Sequence, residues 1–177
     1  MRHLATILVT ALCAAPLWAS DLQQRFEAMG TLEATVGDSE HEMVIAYDRE
    51  KDRPYAEQKV LMGRYLTINL VGQTVDEKGR PGSPMIQVTL QEQTGEMGLI
   101  SVEMFDEQGF DAPLSMGPDG GPGELTDYSL EGDALEGAVT GEFRRLTDYM
   151  GDPKIAEGSA PVPATIRFRV TLPPLEE

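Results

Sequence analysis

The chain predicts an all-β domain: an antiparallel β-sandwich or partly open barrel of about eight strands, preceded by a short N-terminal helix. Two observations carry this. From residue 30 onward apolar side chains recur at every second position, the period of a strand with one dry face and one wet face. Between these runs fall short Gly/Asp clusters of the kind that turn hairpins.

Residues 1–19 read as a cleaved secretory signal peptide. Arg2 supplies the charged start, Leu4–Ala15 the apolar run, Pro16 a helix breaker, and Ala19 the small residue before the cut. About a dozen apolar residues are too short to cross a bilayer core of roughly 30 Å. Leu12 stands directly before Cys13 where a lipoprotein signal needs a small residue, so no lipid anchor is expected. Cys13 is the chain's single cysteine, and the exported protein would have none. That excludes disulfides, thiolate metal sites and a catalytic Cys. An exported domain without disulfides points to the periplasm, or to secretion, of a bacterium.

A short helix is expected over residues 20–29. Asp21 is its cap, Leu22, Phe26 and Met29 form its apolar face, and Gly30 ends it. A single β domain is assigned to residues 30–172. Its strands are Leu32–Val36, Met43–Tyr47, Tyr65–Leu70, Met85–Leu90, Leu99–Met104, Leu135–Phe143 and Ala164–Leu172. The last is the clearest: Ile166, Phe168, Val170 and Leu172 face one way, Thr165, Arg167, Arg169 and Thr171 the other. Turns are expected at Gly37–Ser39, Asp76–Gly79, Gln93–Gly95 and Gly132–Asp133. Residues 111–123 and 149–163, rich in Pro and Gly, are read as loops, and 173–177 as a flexible tail. In Leu135–Phe143 large and small residues alternate on one face. Gly137 and Gly141 there are read as notches that receive bulky neighbours.

Charge narrows the partners. The whole chain has 14 Lys+Arg against 30 Asp+Glu, a net −16. Removing residues 1–19 takes away one Arg and no acid, leaving −17. Nucleic acid and anionic lipid surfaces would repel such a protein, so neither is expected as a partner, and no membrane span remains after cleavage. Between Pro81 and Phe143 there are 13 acids and no Lys, Arg or His. This segment is the candidate face for a cationic protein or a divalent cation.

Catalytic signatures are missing. His41 is the only histidine after the signal, no G-x-S-x-G elbow occurs, and the P-loop and dinucleotide glycine motifs are absent. A carboxylate-dependent hydrolase could draw on many acid pairs, but the aromatic platform that sugars stack on is thin: the lone Trp18 leaves with the signal. No enzyme activity and no cofactor are expected.

Metal candidates remain. Asp106, Asp111, Asp119, Glu124 and Asp127 are spaced across glycine turns in a way that can suit a hard cation, though without the EF-hand pattern. His41 and Met43 lie two apart on one strand face, and imidazole with thioether can hold copper. This H-x-M resembles part of the motif of periplasmic copper chaperones of the cupredoxin-like kind; that family's second His and adjacent His-Met pair are not found here. The function expected is therefore a non-catalytic binding or accessory module. Cationic-partner binding through residues 81–143 is the alternative, and a carboxylate hydrolase the second.

Overall fold

The computed structural model describes residues 22–175; the expected signal peptide and its cleavage point lie outside the described residues. Alternating apolar side chains pair up along twelve strand segments. In chain order these are β1 (Phe26–Val36), β2 (Ser39–Asp48), β3 (Arg53–Pro54), β4 (Ala56–Leu61), β5 (Tyr65–Val75) and β6 (Pro81–Gln93). There follow β7 (Glu96–Phe105), β8 (Leu114–Met116), β9 (Gly123–Glu131), β10 (Ala134–Thr147), β11 (Lys154–Ile155) and β12 (Val162–Thr171).

All the ladders between these strands are antiparallel, and the sheet closes on itself. Neighbours run β2-β1-β12-β10-β8-β7-β6-β5, and β5 returns to β2 through Val44 opposite Gln73 and Ile45 opposite Gly72. The molecule is an eight-stave barrel rather than a sandwich. Closure explains why one face of every long strand is apolar: it points into a single interior. Leu32, Met43, Ile45, Ile68, Leu70, Ile86, Leu90, Val102, Met116, Leu135, Phe143, Ile166 and Val170 fill that interior. Eight staves leave about enough room for side chains alone.

The ring is irregular at two places. Below the β2–β5 closure, β3 lies on β2 and β4 on β5. Tyr55 joins them, donating from N–H to the Ala46 carbonyl at 2.8 Å and accepting from Val71 N–H at 2.7 Å. On the opposite side the stave between β10 and β7 is broken. β8 ladders to both neighbours, with Ser115 opposite Arg144 and Met116 opposite Val102. The chain then leaves through Gly117–Pro122 and resumes as β9, which ladders to β10 alone. The expected loop over 111–123 thus holds a three-residue strand, and the loop over 149–163 holds β11. Both are too short to leave a periodic signal.

The expected N-terminal helix is replaced by strand. Residues 24 and 25 turn, and β1 begins at Phe26, four residues before the expected start of the β domain. The i, i+4, i+7 spacing of Leu22, Phe26 and Met29 arises instead from a β-bulge, where the register with β2 shifts between Ala28 and Gly30 and leaves Met29 between them. A ten-residue helix is marginal in water, whereas a strand here gains a ladder. Bidentate bonds from Arg25 to Asp48, 2.7 Å from Nε and 2.5 Å from Nη2, fasten the start of β1 to the end of β2. The tail begins tied rather than loose: the Pro173 carbonyl accepts 2.8 Å from Gln58 Nε2.

Candidate functional site

Closure turns the outward side chains of adjacent strands into rows, and three regions of that outer surface carry the charged chemistry. The first is the basic-free stretch 81–143. Its segments β6, β7, β8, β9 and β10 are consecutive in the sheet, so a run of acids in sequence becomes one continuous side of the barrel. Asp106 and Glu136 are neutralised in ion pairs with Arg145 and Arg169. Glu92, Glu96, Glu107, Asp111, Asp119, Glu124, Glu131 and Asp133 make no ion pair among the described residues and supply the field of this wall.

The residues singled out for cation binding divide accordingly. Asp106 is half-buried and accepts 3.1 Å and 2.5 Å bonds from Arg145, which also donates 2.6 Å to the Ala112 carbonyl. Burial opposes the charged form of Asp106, but the Arg145 bonds outweigh it and hold the carboxyl below its usual range. Asp111 is exposed, and its carbonyl accepts from Tyr149 N–H. Asp119 lies on the excursion between β8 and β9. Glu124 and Asp127 share the outer face of β9, opposite Thr140 and Ala138, because a bulge at Thr126 restores the alternation between them. Among the described residues no three His, Cys, Asp or Glu side chains converge on a point suited to a metal ion. Met43 is buried at 1 % exposure in the interior, opposite Leu32, while His41 is half-buried opposite Ala34.

A second region was not anticipated from the sequence. Gln87, Glu103, Ser115 and Arg144 form one outward row across β6, β7, β8 and β10. Outward carboxylates normally meet water, yet Glu103 is only 5 % exposed. Phe105 on the same face of β7 packs against Phe110 at 4.8 Å and Tyr149 at 5.8 Å between ring centroids. The 117–121 excursion covers the row, Gly120 lying against Ser115 and Gly121 against the Arg144 side chain. Burial pushes the Glu103 carboxyl up to about 7, against the 3.2 Å bond from Ser101 Oγ and with help from the Asp119 charge. Burial likewise raises the Tyr149 phenol to about 12, with Glu103 and Asp119 adding to it. Arg144 Nε is buried there with no hydrogen-bond partner among the described residues. Period-two alternation places Glu103 outside correctly but cannot show that a loop 10 to 20 residues later folds back over it.

The third region is an open groove of about 280 Å³ across β1, β12, β10 and β9, lined by Thr31, Glu33, Asp127, Ser129, Glu136, Ala138, Arg167 and Arg169. The chain has no match among protein families, curated proteins or solved structures.

Proposed function

We propose that this protein is an exported, non-catalytic binding module whose acidic side receives a cationic partner. The supporting observation is topological. The 63 residues that lack any Lys, Arg or His fold into neighbouring strands, so their charge adds up on one surface instead of scattering around the barrel. Bases such as Arg25, Arg49 and Arg80 are spent on pairs elsewhere in the fold, and Arg145 neutralises only Asp106 of the wall. The wall is therefore a source of unneutralised negative potential, which speeds and selects association with a basic protein, a polyamine or a divalent cation.

Titration of the protein with an oligolysine peptide, spermidine and Ca²⁺ by calorimetry tests this reading. Binding that weakens with salt, and weakens further in the triple variant Asp111→Asn, Asp119→Asn, Glu124→Gln, is the expected result. Binding unchanged in that variant, or no heat with any of the three, overturns it. Asp106 is left intact because its partner is Arg145.

A further inference from the structure

The groove over β10 has a charge arrangement that the acidic-wall reading does not use. Cross-strand register places Glu33, Arg167, Ala138 and Asp127 in one row, on β1, β12, β10 and β9. The next row holds Thr31, Arg169, Glu136 and Ser129. In that second row the central charges satisfy each other: Arg169 Nε donates 2.6 Å to Glu136. In the first row they do not. Arg167 and Asp127 form no ion pair among the described residues, because Ala138 stands between them and the two strands that carry them are not neighbours.

Adjacent strands lie about 4.8 Å apart, so two ladder steps separate the backbones of Arg167 and Asp127 by roughly 10 Å. The short Ala138 side chain leaves that interval open as the floor of the groove. On the β9 side the ladder is bulged opposite Ala138: Thr126 is inserted, and its hydroxyl donates 3.2 Å to the Ala138 carbonyl. Bulges turn a strand and re-aim the side chain beside them, here Asp127 at the groove's rim.

We infer that this notch is a clamp for a small linear zwitterion of the dipeptide type, its ammonium on Asp127 and its carboxylate on Arg167. Allowing a hydrogen bond of about 2.9 Å at each end leaves roughly 4 Å for the ligand's own charge separation, more as the side chains lean outward. With the side chains leaning apart, an extended molecule with a peptide bond between its charges spans the interval better than one whose two charges sit on one carbon. Ser129, two residues from Asp127 on the same strand, offers a hydroxyl beside that end of the ligand. Glu33, on the far side of Arg167, makes the groove net negative and disfavours a ligand that carries only an anion.

The test uses the whole exported chain and glycylglycine as probe, followed through backbone amide shifts in NMR. Glycylglycinamide, which lacks the carboxylate, and N-acetylglycylglycine, which lacks the ammonium, are matched controls. Glycylglycine should move the amides of Asp127, Ala138 and Arg167 with millimolar affinity, and each blocked peptide should bind about threefold to fivefold more weakly, as for exposed ion pairs. Arg167→Gln should abolish the penalty for losing the carboxylate, and Asp127→Asn the penalty for losing the ammonium. Both sites are exposed, so neither change threatens the fold. Equal binding by glycylglycinamide would make the groove part of the cationic-partner wall and overturn the clamp. Silent amides at tens of millimolar glycylglycine overturn it too.

Discussion

Gly137 on β10 lies opposite Phe168 on β12, and the Phe168 ring occupies the space that a side chain at Gly137 would need. A Cβ at Gly137 would overlap the ring, and one at Gly141 would come within 3.0 Å of Met116 Sδ besides meeting backbone. The notches read from the alternation of large and small residues are therefore filled from within the fold.

Gly137→Ala is thus expected to destabilise the barrel by about 1–3 kcal/mol, the usual cost of overpacking. Phe168→Leu should recover part of that loss in the double variant, because it vacates the contested space. Urea denaturation of the two single variants and the double variant measures the coupling.

Glu103 sets a pH dependence on the alkaline side. Its carboxyl is raised to about 7 in the fold from an ordinary 4.5, so the folded state holds a proton that the unfolded chain releases. The resulting stability is complete below pH 4.5 and is lost as pH rises toward 7. Such a shift corresponds to about 3 kcal/mol. Glu103→Gln, which keeps a neutral side chain at all pH values, should leave stability at pH 4 nearly unchanged and raise it by up to that amount at pH 8. Thermal unfolding of the two proteins across that range would show it.

The acid side is governed by other carboxylates. Hydrogen bonds from Arg25 hold Asp48 down to about 2, and Arg80 does the same for Asp76. Depressed carboxyls stabilise the fold above their ordinary value near 3.8 and lose that contribution as pH falls toward 2. Arg25→Gln should lower stability at pH 6 and make the decline between pH 4 and pH 2 shallower. Denaturant midpoints at pH 6 and pH 3 decide it.

Arg145 fastens the outer loop that follows β7. Arg145→Met removes the donor from the Ala112 carbonyl and leaves the Asp106 carboxylate only the 3.0 Å bond from Gln108 N–H. The expected cost is about 1.5–3 kcal/mol, the range for hydrogen bonds to charged groups. Faster proteolytic nicking between residues 106 and 113 should accompany it, and Asp106→Asn should show a milder version of both effects.

Much of this architecture was legible because it depends on local rules. Six of the seven predicted strands lie within observed ones and the last overruns β12 by Leu172 alone, while the predicted turns at Gly37–Ser39, Asp76–Gly79, Gln93–Gly95 and Gly132–Asp133 each join consecutive strands. What escaped depends on contacts between distant segments. Met29 sits in a bulge that exists only because β2 is alongside, and its helical spacing from Phe26 and Leu22 has no helix behind it. β8 consists of three residues held by β7 and β10, with no periodicity of its own. Choosing barrel over sandwich required Ile45 to meet Gly72, where Leu32 packs into the space left by the missing side chain. At the site level the continuous acidic segment was visible, whereas the row joining Arg167 to Asp127 follows from strand order, and the burial of Glu103 from a later loop folded over it.

β12 lies between β1 and β10, so the stave nearest the N-terminus waits for one of the last to be delivered. A chain synthesised from its N-terminus can form the β1–β2 and β5–β6–β7 hairpins early. It cannot seal the ring until residues 162–171 have emerged. Through that interval Leu32 and Ile45 on the first hairpin have no finished interior to enter. High contact order of this kind slows folding, and the period before the final stave arrives is when such a chain would most need a chaperone's shelter.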